Sequence, residues 1–281
     1  YKFMPAFRNR MWDGKIRMFS QKTKEIYFGL FPYIKSFAEE RGYNVVCGED
    51  VDIENKVSRE LVGKFSNSLG QKFEARDYQV DAIYHSLKFN RALLLSPTAS
   101  GKSFIIYSLI RYYSHLIKDD TNNRILLIVP TTSLVEQMYS DFQEYGWNVE
   151  KNCHRLYSGY SNVTDKKVLI STWQSLFRLP KAYFDQFGVV FGDEAHLFKS
   201  KSLTEIMTKL IDCKYRIGLT GTLDGAHTHK LVLEGLFGAV NKVTTTKKLM
   251  DKNQLSNLVV RCLILKHSEA NAKIISKGKY Q

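Results

Sequence analysis

The stretch Ser96-Pro97-Thr98-Ala99-Ser100-Gly101-Lys102-Ser103 decides the fold of this chain. The apolar run of residues 92–95 precedes it, and residues 104–116, which are apolar at helical spacing, follow it. Strand, tight loop and helix in this order are the context that a phosphate-binding P-loop requires. The backbone amides of such a loop and the positive end of the following helix dipole attract an anion. The stretch therefore predicts a phosphate site, although Ser96 stands where the strict pattern has glycine.

Two side chains of this loop predict what it does to a bound phosphate. Lys102 would place its charge on the outer phosphates of a nucleotide, and the Ser103 hydroxyl would hold Mg²⁺. A Gly-Lys-Ser sequence at a helix start is also a common chance match. The flanking strand and helix strengthen the case for phosphate binding, and the rest of the chain decides it.

A pair of acidic residues follows a second apolar strand. The strand is Val189-Val190-Phe191-Gly192, and Asp193-Glu194-Ala195-His196 stands at its carboxyl end, where ligands of open α/β sheets bind. Phosphate transfer to water needs one carboxylate for Mg²⁺ and another that positions or deprotonates the water. Asp193 fits the first role and Glu194 the second, and His196 completes the candidate catalytic group. The simplest alternative is a pair of solvated acids at a strand end.

The chain is strongly basic, and its positive charge is concentrated at the two ends. The net charge is +13 over 281 residues. Residues 1–36 carry +6 and residues 242–281 carry +7, so these two segments account for the whole excess. Such clustering indicates a polyanionic partner. The alternative is that the basic residues only keep the protein in solution.

Cysteine usage and hydropathy restrict the compartment. The four cysteines lie far apart in the sequence, without a CxxC motif for zinc or redox chemistry, and they indicate reduced thiols in a cytoplasmic protein. No apolar run approaches the length of a membrane span, so no membrane partner is expected. The first residue is Tyr1, and no signal peptide follows it. We therefore expect the chain to be a piece of a longer protein.

Residues 1–70 are expected to form a small, basic, nucleic-acid-binding domain of the α/β (α+β) type. Asp13-Gly14 predicts a hairpin turn between residues 8–12 and 15–19. A helix that stops at Gly42 and a strand over residues 43–47 are predicted to follow, and residues 48–70 to lead into a linker. The outward face of the hairpin is predicted to contact phosphates without reading sequence. Its basic residues are Arg8, Arg10, Lys15 and Arg17.

Residues 71–245 alternate between apolar runs and helical patterns, which predicts the α/β fold class. Continuous apolar runs are typical of strands buried on both faces, as in a mostly parallel sheet covered by helices on both faces. A last strand is predicted near residues 259–265, in a basic and irregular segment. The other predicted strands are residues 91–96, 125–129, 153–157, 167–171, 188–192 and 215–219. The predicted helices are residues 103–117, 133–145, 173–178, 200–211 and 229–236.

Motifs in this region resemble those of the first motor domain of superfamily 2 helicases. Residues 96–103 match motif I, and the Asp193–His196 segment matches motif II. Arg76-Asp77-Tyr78-Gln79 resembles the upstream glutamine motif, which places Arg76 at the nucleotide site and implies that Gln79 recognises adenine. Gly218-Leu219-Thr220-Gly221-Thr222-Leu223 resembles motif III, which implies that Thr220 and Thr222 couple ATP hydrolysis to strand movement. Family members more often have Ala or Ser where Gly221 stands.

Two further segments resemble the nucleic-acid side of these helicases. The segment that begins Val129-Pro130-Thr131-Thr132 is similar to motif Ia, whose Pro-Thr residues touch the strand backbone in the family. Ser171-Thr172-Trp173-Gln174-Ser175-Leu176 is similar to a threonine-containing segment that lies on the same side. The resemblance thus implies contacts with a nucleic acid strand from Pro130, Thr131, Thr132, Thr172 and Trp173.

The resemblance implies a RecA-like fold, ATP and Mg²⁺ as cofactors, and the activity of an ATP-dependent helicase or translocase. Phe3-Met4-Pro5-Ala6-Phe7-Arg8 narrows it to phage recombination helicases. That resemblance implies fork regression, Holliday-junction branch migration and unwinding of RNA–DNA hybrids, in recombination, repair and replication control. The implied partners are branched DNA, single-stranded DNA and RNA–DNA hybrids, and the implied state is a monomer in the host cytoplasm.

Residues 246–281 resemble the connector into a second RecA-like domain, which carries an arginine finger in this family. Because such a finger contributes about 10³–10⁵ in turnover, we expect this chain alone to bind nucleotide weakly and hydrolyse it poorly. Two other classes remain open: a P-loop phosphotransferase of another kind, and a nucleic-acid-binding module with a vestigial P-loop. The Pro-Thr and DEAH segments argue against the first, and the intact Lys102, Asp193 and Glu194 argue against the second.

Overall fold

A computed structural model describes most of the chain. The first compact unit runs from Tyr1 to Thr246, and the second begins at Lys247. A boundary at residue 70, with separate roles for residues 1–70, 71–245 and 246–281, stays a prediction. The described residues are 5–11, 13–14, 17–48, 54–69, 74–117, 123–199, 201–223, 227–256 and 261–262.

The amino-terminal segment contains a short hairpin, but not at the predicted place. Its elements are α1 (Pro5–Arg8), β1 (Phe19–Ser20), β2 (Glu25–Ile26), a 3₁₀ turn (Phe28–Leu30) and α2 (Phe31–Glu39). The hairpin predicted around Asp13-Gly14 is wrong in its described part, because residues 9–11 and 17–18 form no strand and Phe19 pairs with Ile26; residues 12, 15 and 16 lie outside the described residues. Instead β1 and β2 pair antiparallel. The turn between them closes where the Lys24 N–H donates to the Ser20 carbonyl at 2.8 Å, with Lys24 at a φ of +60°.

Two predictions between residues 42 and 70 are corrected. Residues 43–47 form no strand, since the chain folds back after α2 and the Tyr43 N–H bonds the Ala38 carbonyl. The predicted stop at Gly42 is confirmed by its φ of +75°. The segment taken as a linker contains helix α3 (Arg59–Leu69). Helix α3 is held by a buried stripe whose members are Val62, Ser66 and Leu69.

The 3₁₀ turn packs directly on helix α10 (His227–Phe237). This helix belongs to residues 71–245, the predicted motor domain, here named the motor region. A Cβ atom on Gly29 would lie 1.9 Å from the Glu234 carbonyl oxygen and 2.8 Å from that of Gly235. Only glycine permits this approach of two backbones. Beside it, the Tyr33 hydroxyl donates to the buried Glu234 carboxylate at 2.9 Å, and burial raises the pKa of Tyr33. The amino-terminal segment is therefore packed against the motor region rather than tethered to it.

A parallel sheet forms the centre of the first unit. Its strands are β3 (Arg91–Leu95), β4 (Arg124–Val129), β5 (Cys153–Leu156), β6 (Val168–Thr172), β7 (Phe187–Gly192), β8 (Tyr215–Thr220) and β9 (Val240–Lys242). Among the described residues these seven strands follow the order β5-β6-β4-β7-β8-β3-β9. Every pairing in the sheet is parallel. The predicted α/β class and the six strands predicted between residues 91 and 219 are confirmed, whereas β9 was not predicted.

Helices cover both faces of this sheet, as predicted. Leu94 packs with Ile105 on one face, and the next residue back, Leu93, packs with Leu233 on the other. Such alternation follows from the two-residue period of a strand. The remaining helices are α4 (Asp77–Phe89), α5 (Lys102–Leu116), α6 (Thr132–Glu144), α7 (Val149–Asn152), α8 (Trp173–Phe177), α9 (Lys201–Lys209) and α11 (Thr246–Asp251), with 3₁₀ turns at Lys181–Gln186 and Ala195–Lys199.

Within the described ranges, no helix is both long enough and apolar enough to cross a bilayer. The strand predicted near residues 259–265 lies almost entirely outside the described residues, so it stays a prediction.

Candidate nucleotide-binding site

The P-loop is held in shape by its own backbone and by helix α4. Gly101 caps α5 with a φ of +77°, and a Cβ there would lie 2.3 Å from the Gln79 amide nitrogen. Ala99 also has a positive φ, of +64°. At the start of the loop, the Ser96 N–H donates to the Thr220 carbonyl at 2.8 Å. Glycine at position 101 is thus required twice, by conformation and by space.

Serine at position 96 has a structural use. Its hydroxyl lies 2.6 Å from that of Ser100, and both side chains are buried. Because the Ser100 hydroxyl donates to the Pro97 carbonyl at 2.6 Å, Ser96 is the donor of the pair. These bonds close the loop from inside, and Thr98 and Ala99 are left exposed at its tip.

Helix α4 braces the loop through both ends of one amide. The Gln79 oxygen accepts from the Arg76 N–H at 2.9 Å, and its nitrogen donates to the Ser100 carbonyl at 3.0 Å. The Tyr78 hydroxyl donates to the same carbonyl at 3.1 Å and accepts from the Arg76 guanidinium at 2.8 Å. The motif therefore supports the P-loop, and adenine recognition by Gln79 stays a prediction. The role of Tyr78 was not predicted, although it lies within the quoted motif.

The lysine of the P-loop, Lys102, forms an ion pair with Glu194. Lys102 Nζ lies 2.7 Å from Glu194 Oε1, and both side chains are partly buried. The Glu194 backbone has a φ of +49°, in a region that non-glycine residues rarely adopt. This turn follows β7 and brings two segments that are 92 positions apart into one ion pair.

A chain of hydrogen bonds continues from Glu194 to the end of β8. His196 Nδ1 lies 3.0 Å from the Thr220 hydroxyl and 3.4 Å from Glu194 Oε2. The Thr220 hydroxyl donates to the Thr222 carbonyl at 2.8 Å. Since that bond uses the only hydroxyl proton, His196 Nδ1 is the donor to Thr220. The structure thus brings together the predicted catalytic and coupling residues.

Asp193 is a buried carboxylate with one unsatisfied oxygen. Among the described residues, Oδ1 has no hydrogen-bond partner. Burial raises the pKa of Asp193 to about 6, the charge of Lys102 opposes that rise, and Glu194 adds to it. An orphaned carboxylate oxygen of this kind fits a hard divalent cation. The described residues hold no cluster of three metal-ligating side chains, so a Mg²⁺ ion here would take most of its ligands from phosphate and water.

Ser103 bonds a residue that was not predicted. Its hydroxyl lies 3.0 Å from that of Tyr145, which directly follows α6. Burial raises the pKa of Asp141, on the last turns of α6, and a hydrogen bond with Ser103 opposes that rise. The predicted Mg²⁺ ligand is therefore in contact with α6, and its metal role stays a prediction. Nothing in the local pattern distinguishes Tyr145 from an ordinary aromatic residue at a helix end.

The predicted nucleic-acid residues of the motor region gather at the same edge of the sheet. Pro130 follows β4, Thr172 ends the neighbouring strand β6, and Val129 pairs with Thr172 in register. Thr131 caps α6 through its hydroxyl, which accepts from the Leu134 N–H, and Thr132 is exposed beside it. Pro130 and Trp173 line one small cleft with Asp193. A contact of these residues with a strand stays a prediction.

The basic residues of the amino-terminal segment that were predicted to contact nucleic acid are Arg8, Arg10, Lys15 and Arg17, and the structure describes three of them. Arg8 and Arg10 are exposed around the end of α1. Arg17 pairs with Asp13 and lines a cavity with Arg91, the first residue of β3. The remaining candidate, Lys15, lies outside the described residues. Of this group, the structure places Arg17 at the amino-terminal edge of the sheet, opposite the edge that carries Pro130 and Thr172.

Comparisons with known proteins agree with this geometry. The family model described as type III restriction enzyme, res subunit, matches residues 72–225. A second model, described as the amino-terminal part of DNA helicase UvsW, matches residues 1–48. The ATP-dependent DNA helicase uvsW of Enterobacteria phage T4 is 32% identical over the whole chain, which spans 57% of that relative's length.

Solved structures give the same result. A crystal structure of the UvsW helicase from bacteriophage T4 is 34% identical, with a TM-score of 0.73 over 86% of this chain and 87% of that one. A second T4 UvsW structure gives a TM-score of 0.75 at 31% identity, over 98% of this chain and 57% of that one. The chain therefore belongs to the family of the type III restriction enzyme res subunit, among the superfamily 2 helicases, and it is closely similar to T4 UvsW.

Proposed function

We propose that the chain is the ATP-hydrolysing motor portion of a DNA helicase. One observation carries the proposal: Lys102, Glu194 and the orphaned Asp193 converge at the carboxyl-terminal edge of the sheet, beside a braced P-loop. This arrangement supplies a cation for phosphate, an oxygen for Mg²⁺ and a carboxylate for water. The names of the similar proteins, which are ATP-dependent DNA helicases, support the same reading.

The residues of the site would divide the work as follows. Residues 96–103 and Asp193 would hold ATP with Mg²⁺, which supplies charge neutralisation on the phosphates when bound. Phosphate would compete with Glu194 for Lys102 and so release that carboxylate from its 2.7 Å ion pair. Once free, Glu194 would orient a water molecule and accept its proton.

The bonds from Glu194 to Thr222 provide a route for coupling. His196 contacts both Glu194 and Thr220, so a change at the carboxylate alters the packing at the end of β8. The same sheet edge carries Pro130, Thr131, Thr132, Thr172 and Trp173. We infer that a nucleic acid strand lies along this edge and responds to the nucleotide state through His196 and Thr220.

The substrate class follows from similarity alone. We propose branched DNA, single-stranded DNA and RNA–DNA hybrids as substrates, with fork regression, junction branch migration and R-loop unwinding as the activities. The protein would work as a monomer in the cytoplasm of an infected host cell, in recombination, repair and replication control. The amino-terminal segment would add grip on nucleic acid, and a second motor domain would complete the ATP site.

The test is unwinding by the intact protein on forks, four-way junctions, R-loops and linear duplex. Lys102→Ala should abolish ATP turnover and unwinding while most DNA binding remains, because Lys102 would act on the phosphates of the nucleotide and not on the nucleic acid strand. Lys64→Ala, which removes an exposed lysine paired with Glu60 on α3, is the matched control and should leave all three unchanged. Unwinding by Lys102→Ala at the control rate would contradict the motor assignment.

A further inference from the structure

Two cavities open at the amino-terminal edge of the sheet, away from the P-loop. Arg91 begins β3 and pairs in register with Arg216 of β8. The P-loop follows the other end of β3, and a strand rises about 3.3 Å per residue. The five residues of β3 therefore separate the two sites by roughly 15 Å.

The larger cavity, here named the basic cavity, has a volume of about 960 Å³. Among the described residues, four cationic residues line it against one acidic residue, Glu25, and one of the four, Arg17, is already paired with Asp13. Ser20 and Gln21 add polar groups at its rim. The cationic residues are Arg17, Lys22, Arg91 and Arg216. An excess of fixed positive charge around an open space favours an anionic ligand.

The two arginines of the basic cavity that lie on strands of the sheet have different partners. Arg216 is buried and donates to the carbonyls of Met207, Leu210 and Cys213, at and beyond the end of α9. Arg91 contacts the Phe28 ring, at 5.1 Å from its centre, and pairs with no carboxylate among the described residues. Like charges opposite each other on neighbouring strands are destabilising. An anion beside Arg91 would relieve this repulsion.

The smaller cavity, here named the aromatic slot, lies on the other side of Phe28. It has a volume of about 280 Å³, and Phe28 and Arg91 line both cavities. The rings of Phe28 and Phe31 stack at 5.9 Å with 9° between their planes. The rings of His85 and Phe89 lie 4.7 Å apart at a further wall of the slot. Four aromatic rings among the described residues therefore line the slot, which suits a flat aromatic group.

We propose that the two cavities together bind one nucleoside phosphate, with its base in the aromatic slot and its phosphate in the basic cavity. Base stacking on aromatic side chains is worth about 1–3 kcal/mol per base. A guanidinium is suited to phosphate because its donors match two oxygens at once. The ligand is either a free nucleotide or an unpaired residue of a nucleic acid strand. This site is separate from the ATP site and does not depend on it.

The experiment measures binding to the intact protein by calorimetry, with thymidine 5′-monophosphate and inorganic phosphate as probes. Thymidine 5′-monophosphate should bind at least about tenfold more tightly than inorganic phosphate, since tenfold corresponds to one modest stacking contact. Arg91→Gln and Phe89→Leu should each weaken the nucleotide at least about tenfold, and Phe89→Leu should leave inorganic phosphate unchanged. Lys64→Gln is the matched control.

A folding readout separates lost binding from lost structure. The Tm of Arg91→Gln without ligand should equal or exceed that of the unsubstituted protein, because the substitution removes the like-charge pair of Arg91 with Arg216. Equal binding by Arg91→Gln and Lys64→Gln would overturn the proposal. Equal affinity for inorganic phosphate and the nucleotide would overturn it too, by showing a site for small anions only.

A further arm identifies the source of the nucleoside phosphate. A labelled 5′-phosphorylated oligothymidine is titrated into Arg91→Gln and Lys64→Gln. Weaker strand binding by Arg91→Gln identifies a strand residue, and unchanged strand binding with weaker monophosphate binding identifies a free nucleotide. Arg91→Gln should keep its ATP turnover, and Lys102→Ala should keep its thymidine 5′-monophosphate binding. Failure of this site is thereby distinguished from failure of the proposed motor function.

Discussion

The carboxyl-terminal edge of the sheet and its amino-terminal edge both hold buried ions, and they neutralise them in opposite ways. At the carboxyl edge one cation, Lys102, faces two carboxylates, and Asp193 keeps an oxygen without a partner among the described residues. At the amino edge Arg216 is satisfied by carbonyls and Arg91 by a ring. The local charge at each edge agrees with the ligand proposed there: a divalent cation beside Asp193 at the carboxyl edge, and an anion beside Arg91 at the amino edge.

The largest expected effect is the loss of ATP turnover when Glu194, at the carboxyl edge, is replaced. Glu194→Gln keeps the shape of the side chain but removes its charge and its ability to accept a proton. DNA-stimulated ATP turnover should fall by about 10²–10⁴, as expected for loss of a general base. The measurement is phosphate release at saturating ATP. Glu25→Gln, at the rim of the basic cavity, is the control and should turn over normally. Normal turnover by Glu194→Gln would assign the proton to another group.

A smaller effect is expected on the free energy of unfolding when the contact between Gly29 and the Glu234 carbonyl is disturbed. Gly29→Ala places a methyl group against the Glu234 carbonyl and should lower the free energy of unfolding by about 1–3 kcal/mol. Urea unfolding measures it. Gly63→Ala is the matched control, since a Cβ there meets only Val80 at 3.6 Å, and alanine inside a helix should stabilise by up to about 1 kcal/mol.

ATP turnover and nucleotide binding by the Gly29→Ala protein show whether the two edges act independently. Folded Gly29→Ala protein should keep its ATP turnover, because the P-loop lies at the other end of the sheet, while thymidine 5′-monophosphate binding should weaken with the displacement of Phe28. If turnover falls as far as nucleotide binding does, the two edges are not independent.

The smallest expected effect is a difference between the two edges in how the Tm depends on pH, measured in the absence of metal. Burial and Lys88 lower the pKa of His85, so the unfolded state binds more protons below pH 6.5 and acidification destabilises the fold. Burial raises the pKa of Asp193 to about 6, so its contribution is present below about pH 4 and is lost as pH rises through 6. Between pH 7 and pH 5 the Tm of His85→Gln should fall less steeply than that of the unsubstituted protein, and the Tm of Asp193→Asn more steeply.

Neighbouring charges and an exposed histidine set the background for that comparison. Arg91 lines the slot together with His85, and Lys88 Nζ lies 5.1 Å from the centre of the Phe89 ring. His115→Gln, at an exposed position in the last turn of α5, measures the effect of removing a solvated histidine. Parallel Tm curves for all of these variants would mean that neither edge titrates as described.

The carboxyl edge could be predicted from the sequence because its residues sit at fixed offsets from strands. A P-loop directly follows β3, and the acids directly follow β7. Parallel strands bring their carboxyl ends to one edge, so chain order alone predicts that Lys102 and Glu194 meet. Adenine recognition, metal binding by Ser103 and strand contacts by Thr131 or Thr172 need a ligand to be seen, so they stay predictions.

The amino edge could not be predicted, because no local pattern links its residues. Phe28, Arg91 and Arg216 come from three distant segments, and only the register of β3 against β8 places the two arginines together. Helix α3 was missed for a different reason: its glycine, serine and asparagine residues weaken the helical pattern, and burial of Val62 and Leu69 compensates. Tyr145 was missed because its partner, Ser103, is 42 positions away.

The contact between Gly29 and Glu234 has a mechanical consequence. Two backbones that touch without intervening side chains have no slack between them. We therefore expect a displacement of α10 to displace the turn that carries Gly29 as well. A flexible tether of the same length would transmit force only after it had been fully extended. If the amino-terminal segment binds a nucleic acid strand, as proposed above, that strand would move together with α10.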